Sequence, residues 1–166
     1  MNKKHFLISF LAGAATVLPM IRQNDAVARE AGTLTLEQAR AMARAAEGKA
    51  VENHTSVAVT VVDGGGHPIL VERMEGAQLA SLTLAERKAR SAVFYKRPSS
   101  AFEQALAGGK MAVLALPDAM PAAGGIPVLQ DGRPVGAIGV SGGSNAQDEM
   151  AAEAGMATLP AAPGPN

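Results

Sequence analysis

The sequence predicts an α+β fold, in which helices pack against an antiparallel sheet. Two short apolar segments, residues 56–62 and 67–73, flank a triglycine turn, and a second pair, residues 126–130 and 133–140, flanks an Asp-Gly turn. Tight glycine turns of this kind join the two strands of a β-hairpin. Segments with alanine and leucine at helical spacing precede, separate and follow the hairpins, so we expect helices to cover the sheet.

The helix ends are predicted from capping residues. Thr35 and Gln38 match a capping box, in which each side chain bonds to a backbone N–H of the other residue. Ser144 or Asn145 is expected to cap the last helix, and Gly155 to end it. The other predicted elements are a helix over residues 79–95, a shorter helix from Ser99 or Ser100 to Leu106, and a short strand in the segment MAVLAL, residues 111–116.

Residues 1–28 have the composition of a secretory signal peptide. A basic start and an apolar run from Phe6 to Leu18 precede the small-x-small sequence Ala26-Val27-Ala28. We expect cleavage after Ala28 and a periplasmic or secreted protein that keeps no membrane segment. The alternative is an uncleaved anchor, but the apolar run is shorter than the ~20 residues that a membrane span needs. The expected division is a signal peptide over 1–28, a linker over 29–33, a folded domain over 34–158 and a disordered tail over 159–166.

Charge and cysteine content exclude several classes of function. Without residues 1–28 the chain keeps twelve Lys and Arg and fourteen Asp and Glu side chains. This near-neutral balance argues against nucleic acid as a partner, because binding phosphates needs a concentrated positive surface. The absence of cysteine excludes disulfides, thiolate catalysis and zinc-thiolate sites. Stability must therefore come from packing, to which association with copies of the same chain could add.

The glycine-rich segment that ends the second hairpin has three interpretations. It lacks the Lys-Ser/Thr of a P-loop, and its strand belongs to a hairpin rather than to a βαβ unit, which disfavours nucleotide binding. Residues 139–143, GVSGG, match the nucleophile elbow of serine hydrolases, but no histidine follows Ser141 in the chain. We therefore expect Ser141, Gly142 and the following helix start to offer donors to a carboxylate or another small anion.

Five side chains near the first hairpin are candidates for binding or catalysis. His67 and Met74 carry groups that ligate haem iron, although a turn histidine and a core methionine are the alternative interpretation. Asp63 and Arg73 end neighbouring strands, where charged residues are usually solvated or paired at the surface. Lys88, in the second helix, is the best placed to meet an anion, and Asp63 would then serve as a base.

The same residues resemble a known family. The segments VTVVDGGGHPILVERMEGA, TLAERKARSA and GGIPVLQDGRPVGAIGVSGGSNAQDEMAAEAG are similar to the HbpS/GlcG haem-binding family, which includes the PduO C-terminal domain, and the resemblance covers about residues 34–157. It implies a profilin-like α+β domain with an antiparallel sheet of about five strands, and self-association into dimers or larger rings. The family's motif positions correspond here to Asp63, His67, Arg73, Met74, Lys88, Gly124, Gly125, Gly139, Ser141, Gly142, Gln147 and Asp148. Of these we expect eight to bind the ligand: His67, Arg73, Met74, Lys88, Gly124, Gly125, Ser141 and Gly142.

Two functions are compatible with this resemblance. The first is an exported haem-binding or haem-responsive protein, with His67 or Met74 near the iron and Lys88 or Arg73 pairing a propionate. The alternative is a tautomerase-like or isomerase-like enzyme, or a binding protein, for a small carboxylic acid. In that case Asp63 would act as the base, while Lys88 and the Ser141 loop would hold the anion.

Overall fold

The computed structural model describes residues 32–160. The predicted signal peptide lies outside these residues, as do the first part of the linker and the last six residues of the tail, so that division of the chain stays a prediction. In chain order the elements are α1 (Leu36–Glu52), β1 (Ala58–Asp63), β2 (Pro68–Arg73), α2 (Ala80–Tyr95), α3 (Ser100–Ala107), a 3-10 helix (Met111–Ala115), β3 (Gly125–Gln130), β4 (Arg133–Ser141) and α4 (Asn145–Met156). None of the helices among these residues is long and apolar enough to cross a membrane.

The two predicted hairpins form one antiparallel sheet, which confirms the predicted α+β class. The strand order is β2-β1-β4-β3, so β1 and β4 are central. Along β1, Ala58 lies opposite Arg73 of β2 and Ser141 of β4, while Asp63 lies opposite Gly136. The described part of the sheet therefore has four strands, one fewer than the resemblance implied.

The segment MAVLAL does not form the strand that we predicted. Residues Met111–Ala115 form a 3-10 helix, and the N–H groups of Val113 and Leu116 donate to carbonyls three residues earlier. Val113 is buried against Phe102, whereas Met111 and Leu114 are exposed. One inward side chain and locally satisfied backbone groups suit a single tight turn, so the segment needs no neighbouring strand.

Helices cover both faces of the sheet. On one face α1 and α4 pack on side chains from alternate positions of β1 and β4, among them Val59, Val61, Ile138 and Val140. On the other face α2 packs on Val62 and Ala137. Because alternate residues of a strand face opposite sides, the central strands are buried on both sides.

Small residues let the helices approach closely. A Cβ at Gly139 would overlap Ala85 O of α2 and lie 2.7 Å from Ala89 N. Gly155 was expected to end the last helix, but α4 continues to Met156. A Cβ at Gly155 would lie 2.6 Å from Ile138 Cδ1, so this glycine provides room for packing on the sheet rather than a helix end.

The predicted N-terminal caps of α1 and α4 are confirmed. Thr35 and Gln38 form the capping box of α1, and Ser144 and Gln147 form an equivalent one at α4. Ser99 precedes α3 without a side-chain capping bond. Its hydroxyl instead donates to Ala122 O at 2.6 Å and accepts from the N–H of Gly125 at 2.9 Å, which fixes the entry into β3.

Candidate functional site

The predicted site residues lie at two separate ends of the sheet. Asp63 ends β1 opposite Gly136, whereas Lys88 Nζ donates to the carbonyl of Val140, which lies opposite Val59. Four residues of a strand separate Asp63 from Val59, which is about 13 Å. Asp63 and Lys88 therefore do not meet at one site, and their pairing as base and anion holder in an enzyme stays a prediction without a shared pocket to support it.

The β1–β2 turn is organised around the Asp63 carboxylate. Its Oδ1 accepts hydrogen bonds from the backbone N–H of Gly65 at 2.8 Å and of His67 at 2.9 Å, and it lies 3.4 Å from His67 Nδ1. Partial burial raises the pKa of Asp63, but the two backbone hydrogen bonds and the nearby imidazole outweigh this effect and leave the pKa below its usual value. Asp63 is therefore an ionised anchor for the turn and for the His67 ring.

His67 presents an open imidazole. Its side chain is 78% exposed, and Nδ1 is the nitrogen that faces Asp63. A carboxylate behind one ring nitrogen holds the proton there and turns the other nitrogen, Nε2, away from the turn. The structure thus leaves His67 available to a metal or another ligand at the surface.

Two residues that sequence reasoning missed pack against the α2 side of this turn. A Cβ at Gly66 would lie 2.7 Å from Phe94 Cζ, so the triglycine turn rests directly against the Phe94 ring at the end of α2. Arg90 Cζ lies 5.1 Å from the centre of that ring, and Arg90 also pairs with Asp118 at 3.6 Å. In the sequence, the i,i+4 spacing of Arg90 and Phe94 in a predicted helix was the feature that could have indicated their contact. We call the exposed region around the β1–β2 turn the His67 surface: it carries Asp63 and His67 on one side of the turn and Phe94 with Arg90 on the α2 side.

At the other end of the sheet Lys88 is buried and already paired. Its Nζ lies 2.7 Å from Asp148 Oδ2, and each side chain is 3% exposed. Asp148 Oδ1 accepts from the N–H of Gly143 at 2.8 Å. Burial raises the pKa of the Asp148 carboxyl, and Lys88 with the N–H groups of Gly143 and Gly142 opposes that effect without cancelling it. The charge that was predicted to meet a ligand is directed instead at α4.

The predicted ligand-binding glycines Gly124 and Gly125 pass over this ion pair. A Cβ at Gly124 would lie 3.2 Å from Lys88 Nζ, and one at Gly125 would overlap Lys88 O. The N–H of Gly124 donates to Glu149 Oε2 at 2.5 Å. Close approach of the backbone thus accounts for both glycines, of Gly124 to Val140 O and Asp148 Cβ and of Gly125 to α2, and their role toward a ligand stays a prediction.

Ser141 and Gly142 lie beside this buried pair. Ser141 is the last residue of β4 and is 4% exposed. A Cβ at Gly142 would overlap the carbonyl of Ser56. Ser141 and Gly142 therefore lie under the loop that joins α1 to β1, rather than at an open surface.

Arg73 and Met74 lie at the end of β2 that is remote from His67. Met74 packs against the core, and its Sδ lies 3.5 Å from the N–H of Val57. His67 and Met74 are seven residues apart along an extended chain, about 23 Å. They cannot ligate the same iron within one chain, and the exposed Arg73 is separated from the His67 surface in the same way.

Comparison with known proteins identifies the family. A family model described as haem degrading protein HbpS-like matches residues 34–157. This chain belongs to the HbpS-like family. An uncharacterized 15.0 kDa protein of Citrobacter freundii from the dhaT-dhaS intergenic region is 34% identical to this HbpS-like chain over 132 residues, which are 77% of this chain and 93% of the relative.

Solved structures of other HbpS-like proteins share the fold. A double mutant of HbpS from Streptomyces reticuli is 40% identical, with a TM-score of 0.71 over 77% of this chain and 88% of that one. A structure described as the PduOC haem complex is 28% identical, with a TM-score of 0.69 over 76% of this chain and 95% of that one. The predicted family is therefore confirmed, and one relative of this fold has been solved with haem.

Proposed function

We propose that this HbpS-like protein binds haem at the His67 surface. The observation that carries the proposal is the exposed imidazole of His67, whose Nδ1 lies 3.4 Å from the Asp63 carboxylate. A carboxylate in this position orients a metal-binding histidine and fixes which ring nitrogen carries the proton. The family and the haem complex of a relative support haem as the ligand.

Three side chains of the His67 surface fit the chemical groups of haem. Imidazole nitrogen is a common axial ligand of haem iron, and the Phe94 ring, which is 40% exposed, offers an apolar face for a porphyrin. The Arg90 guanidinium suits a propionate carboxylate. Its present pair with Asp118 is partly exposed, at 34% and 47%, and such pairs exchange at little cost.

Each residue has a distinct role in this proposal. When bound, haem would supply an iron that accepts a nitrogen ligand. His67 would offer Nε2, and Asp63 would hold the proton on Nδ1 so that Nε2 keeps its lone pair. Phe94 would offer the porphyrin an apolar contact, and Arg90 would pair with a propionate.

We further propose that the protein is exported and that it self-associates. The composition of residues 1–28 supports export, and the self-association is an expectation from the family resemblance. Both parts of the proposal are independent of haem binding, and sedimentation of the full chain tests the self-association.

Titration with haemin tests the proposal. Wild-type protein is expected to give a saturable Soret band, and His67→Asn is expected to change its position and to weaken binding at least tenfold, because the axial nitrogen is lost. His54→Asn is the matched control: His54 is exposed, lies in the α1–β1 loop and has a φ of 53°, which asparagine tolerates. Identical spectra and affinities for the two variants would refute ligation by His67.

A further inference from the structure

His67 faces the side of the sheet that α1 covers. Pro68 pairs with Val62, and the Val62 side chain packs against α2 on the other side. Because neighbouring residues of a strand face opposite sides, His67 points toward the α1 side. Its Nδ1 lies 3.4 Å from Asp63 Oδ1, so the carboxylate that orients the imidazole lies on this side too.

Helix α1 begins beside the β1–β2 turn. A Cβ at Gly136 would lie 2.5 Å from Leu34 Cδ1, and Gly136 is paired with Asp63. Leu34 belongs to the core on the α1 side, and the helix starts two residues later, at Leu36. It then runs toward the far end of the sheet, because the loop after it leads into Ala58, the first residue of β1. The first turn of α1 is therefore the part of the helix nearest to His67.

The flank of α1 that faces away from α4 carries Leu36, Arg40 and Glu47. A Cβ at Gly155 of α4 would lie 2.9 Å from Met42 O, so α4 packs on the Met42 flank. With 3.6 residues per turn, Leu36, Arg40 and Glu47 fall within about 40° of one another and roughly 120–160° from Met42. Their flank therefore lies over β2, the edge strand on the side away from α4.

Glu47 sets the level of this flank along β2. Burial raises the pKa of Glu47, and the nearby carboxylate of Glu72 on β2 raises it further. Arg40 lies seven residues before Glu47, about 10 Å along the helix, and His67 lies five residues before Glu72, about 16 Å along the strand. Arg40 is therefore within about 6 Å of the level of His67, a distance that an extended arginine side chain spans, and Leu36 is level with His67. This placement agrees with the position of the helix start.

Arg40 is a cation without an acidic partner. Its side chain is exposed, and within residues 32–160 it forms no ion pair. Arg44, one turn later in α1, pairs instead with Glu37 at 3.6 Å. Leu36, on the same flank as Arg40, is 43% exposed. An exposed imidazole, an exposed leucine and an unpaired guanidinium on one side of the turn suit a flat apolar ligand that carries a carboxylate.

We propose that Arg40 binds a propionate of the haem that His67 ligates, with Leu36 in contact with the porphyrin. This inference rests on the proposed haem function. Haem carries two propionates, so the contact with Arg40 is additional to the one with Arg90 on the α2 side. A guanidinium and a carboxylate form charge-assisted hydrogen bonds. Arg40 therefore makes the site selective for porphyrins whose carboxylates are free.

Paired titrations with haemin and with metal-free protoporphyrin IX test the role of Arg40. Protoporphyrin IX has both propionates but no iron. Arg40→Gln is expected to weaken the binding of both molecules about fivefold, because it removes an exposed cation and glutamine keeps the helix. The Soret band of bound haemin should keep its wild-type position in this variant. His67→Asn should weaken the binding of haemin alone, because only haemin has an iron to ligate.

Arg44→Gln is the matched control, since Arg44 is an arginine of the same helix and is 62% exposed; both affinities should stay unchanged. Haemin dimethyl ester, in which both carboxylates are blocked, should bind equally to the wild type and to Arg40→Gln. If Arg40→Gln binds haemin and protoporphyrin IX as the wild type does, while His67→Asn loses affinity for haemin, the contact with Arg40 is overturned and the proposed function stands. Wild-type protein that binds neither porphyrin would overturn both.

Discussion

Lys88 Nζ lies 2.7 Å from Asp148 Oδ2, and both side chains are 3% exposed. This contact joins α2 to α4 across the end of β4, since Lys88 also donates to Val140 O at 3.0 Å. A buried ion pair contributes little compared with a well-packed apolar pair, but removal of one partner leaves an uncompensated charge. The pair therefore affects the free energy of unfolding mainly when one of its two partners is removed.

Replacement of Lys88 by methionine is expected to lower the free energy of unfolding by about 3–5 kcal/mol, because Asp148 would be buried without its cation. The double change Lys88→Met with Asp148→Leu is expected to recover at least half of that loss. Urea unfolding at neutral pH measures both. The control is Lys49→Met, since Lys49 pairs with Glu52 at the surface, where 36% and 68% of the side chains are exposed; its effect should stay within about 1 kcal/mol. A loss below about 1 kcal/mol in Lys88→Met would contradict the role of the pair.

Local features of the fold could be predicted from the sequence. Capping boxes and Asp-Gly turns depend on residues within four positions of each other, so the N-terminal caps of α1 and α4 and both hairpins were found. The segment MAVLAL was misassigned because a short apolar run alone does not distinguish a strand from a single helical turn. Gly155 was misassigned because its reason is a contact with Ile138, on another element.

The candidate site was harder to predict for the same reason. Lys88 and Asp148 are 60 residues apart, and no periodicity in the sequence indicates that they touch. Lys88 was therefore interpreted as the cation best placed to meet an anion. Phe94 and Arg90 meet the β1–β2 turn only through the packing of α2 on the sheet, so the sequence identified His67 and Asp63 without their neighbours.

Two glycines should respond in opposite directions to alanine. Gly139→Ala is expected to destabilise the protein by about 1–3 kcal/mol, since the added Cβ would overlap Ala85 O and force α2 away from the sheet. Gly48→Ala should instead stabilise it by about 0.5–1 kcal/mol, because Gly48 lies within α1 with nothing within 4 Å of the added atom. Thermal and urea unfolding measure both changes. Equal effects at the two positions would mean that the close approach of α2 to the sheet does not limit the size of the side chain at position 139.

Export predicts a defined mature N-terminus. Protein recovered from the periplasm or medium should begin at Arg29, because small residues precede that bond at positions 26 and 28. Ala28→Leu is expected to accumulate the uncleaved precursor, whereas Ala31→Leu, just beyond the bond, should be processed normally. Intact-mass measurement of the three proteins distinguishes these results. A full-length wild-type chain in the exported fraction would favour the uncleaved anchor.

The turn that presents His67 should contribute stability that depends on pH. The folded-state pKa of Asp63 lies below its ordinary value of 3.8, so its contribution is fully present above that value and is lost as the pH falls through the lower folded-state pKa. Wild-type protein should therefore be more stable than Asp63→Asn at pH 7 and pH 5, and the difference should shrink below about pH 4. Urea midpoints at several pH values measure it, with Asp131→Asn, in the other hairpin turn, as the control for loss of a carboxylate. A difference that grew toward acid pH would have the wrong sign for an ionised anchor, and the orientation of His67 by Asp63 would then have to be abandoned.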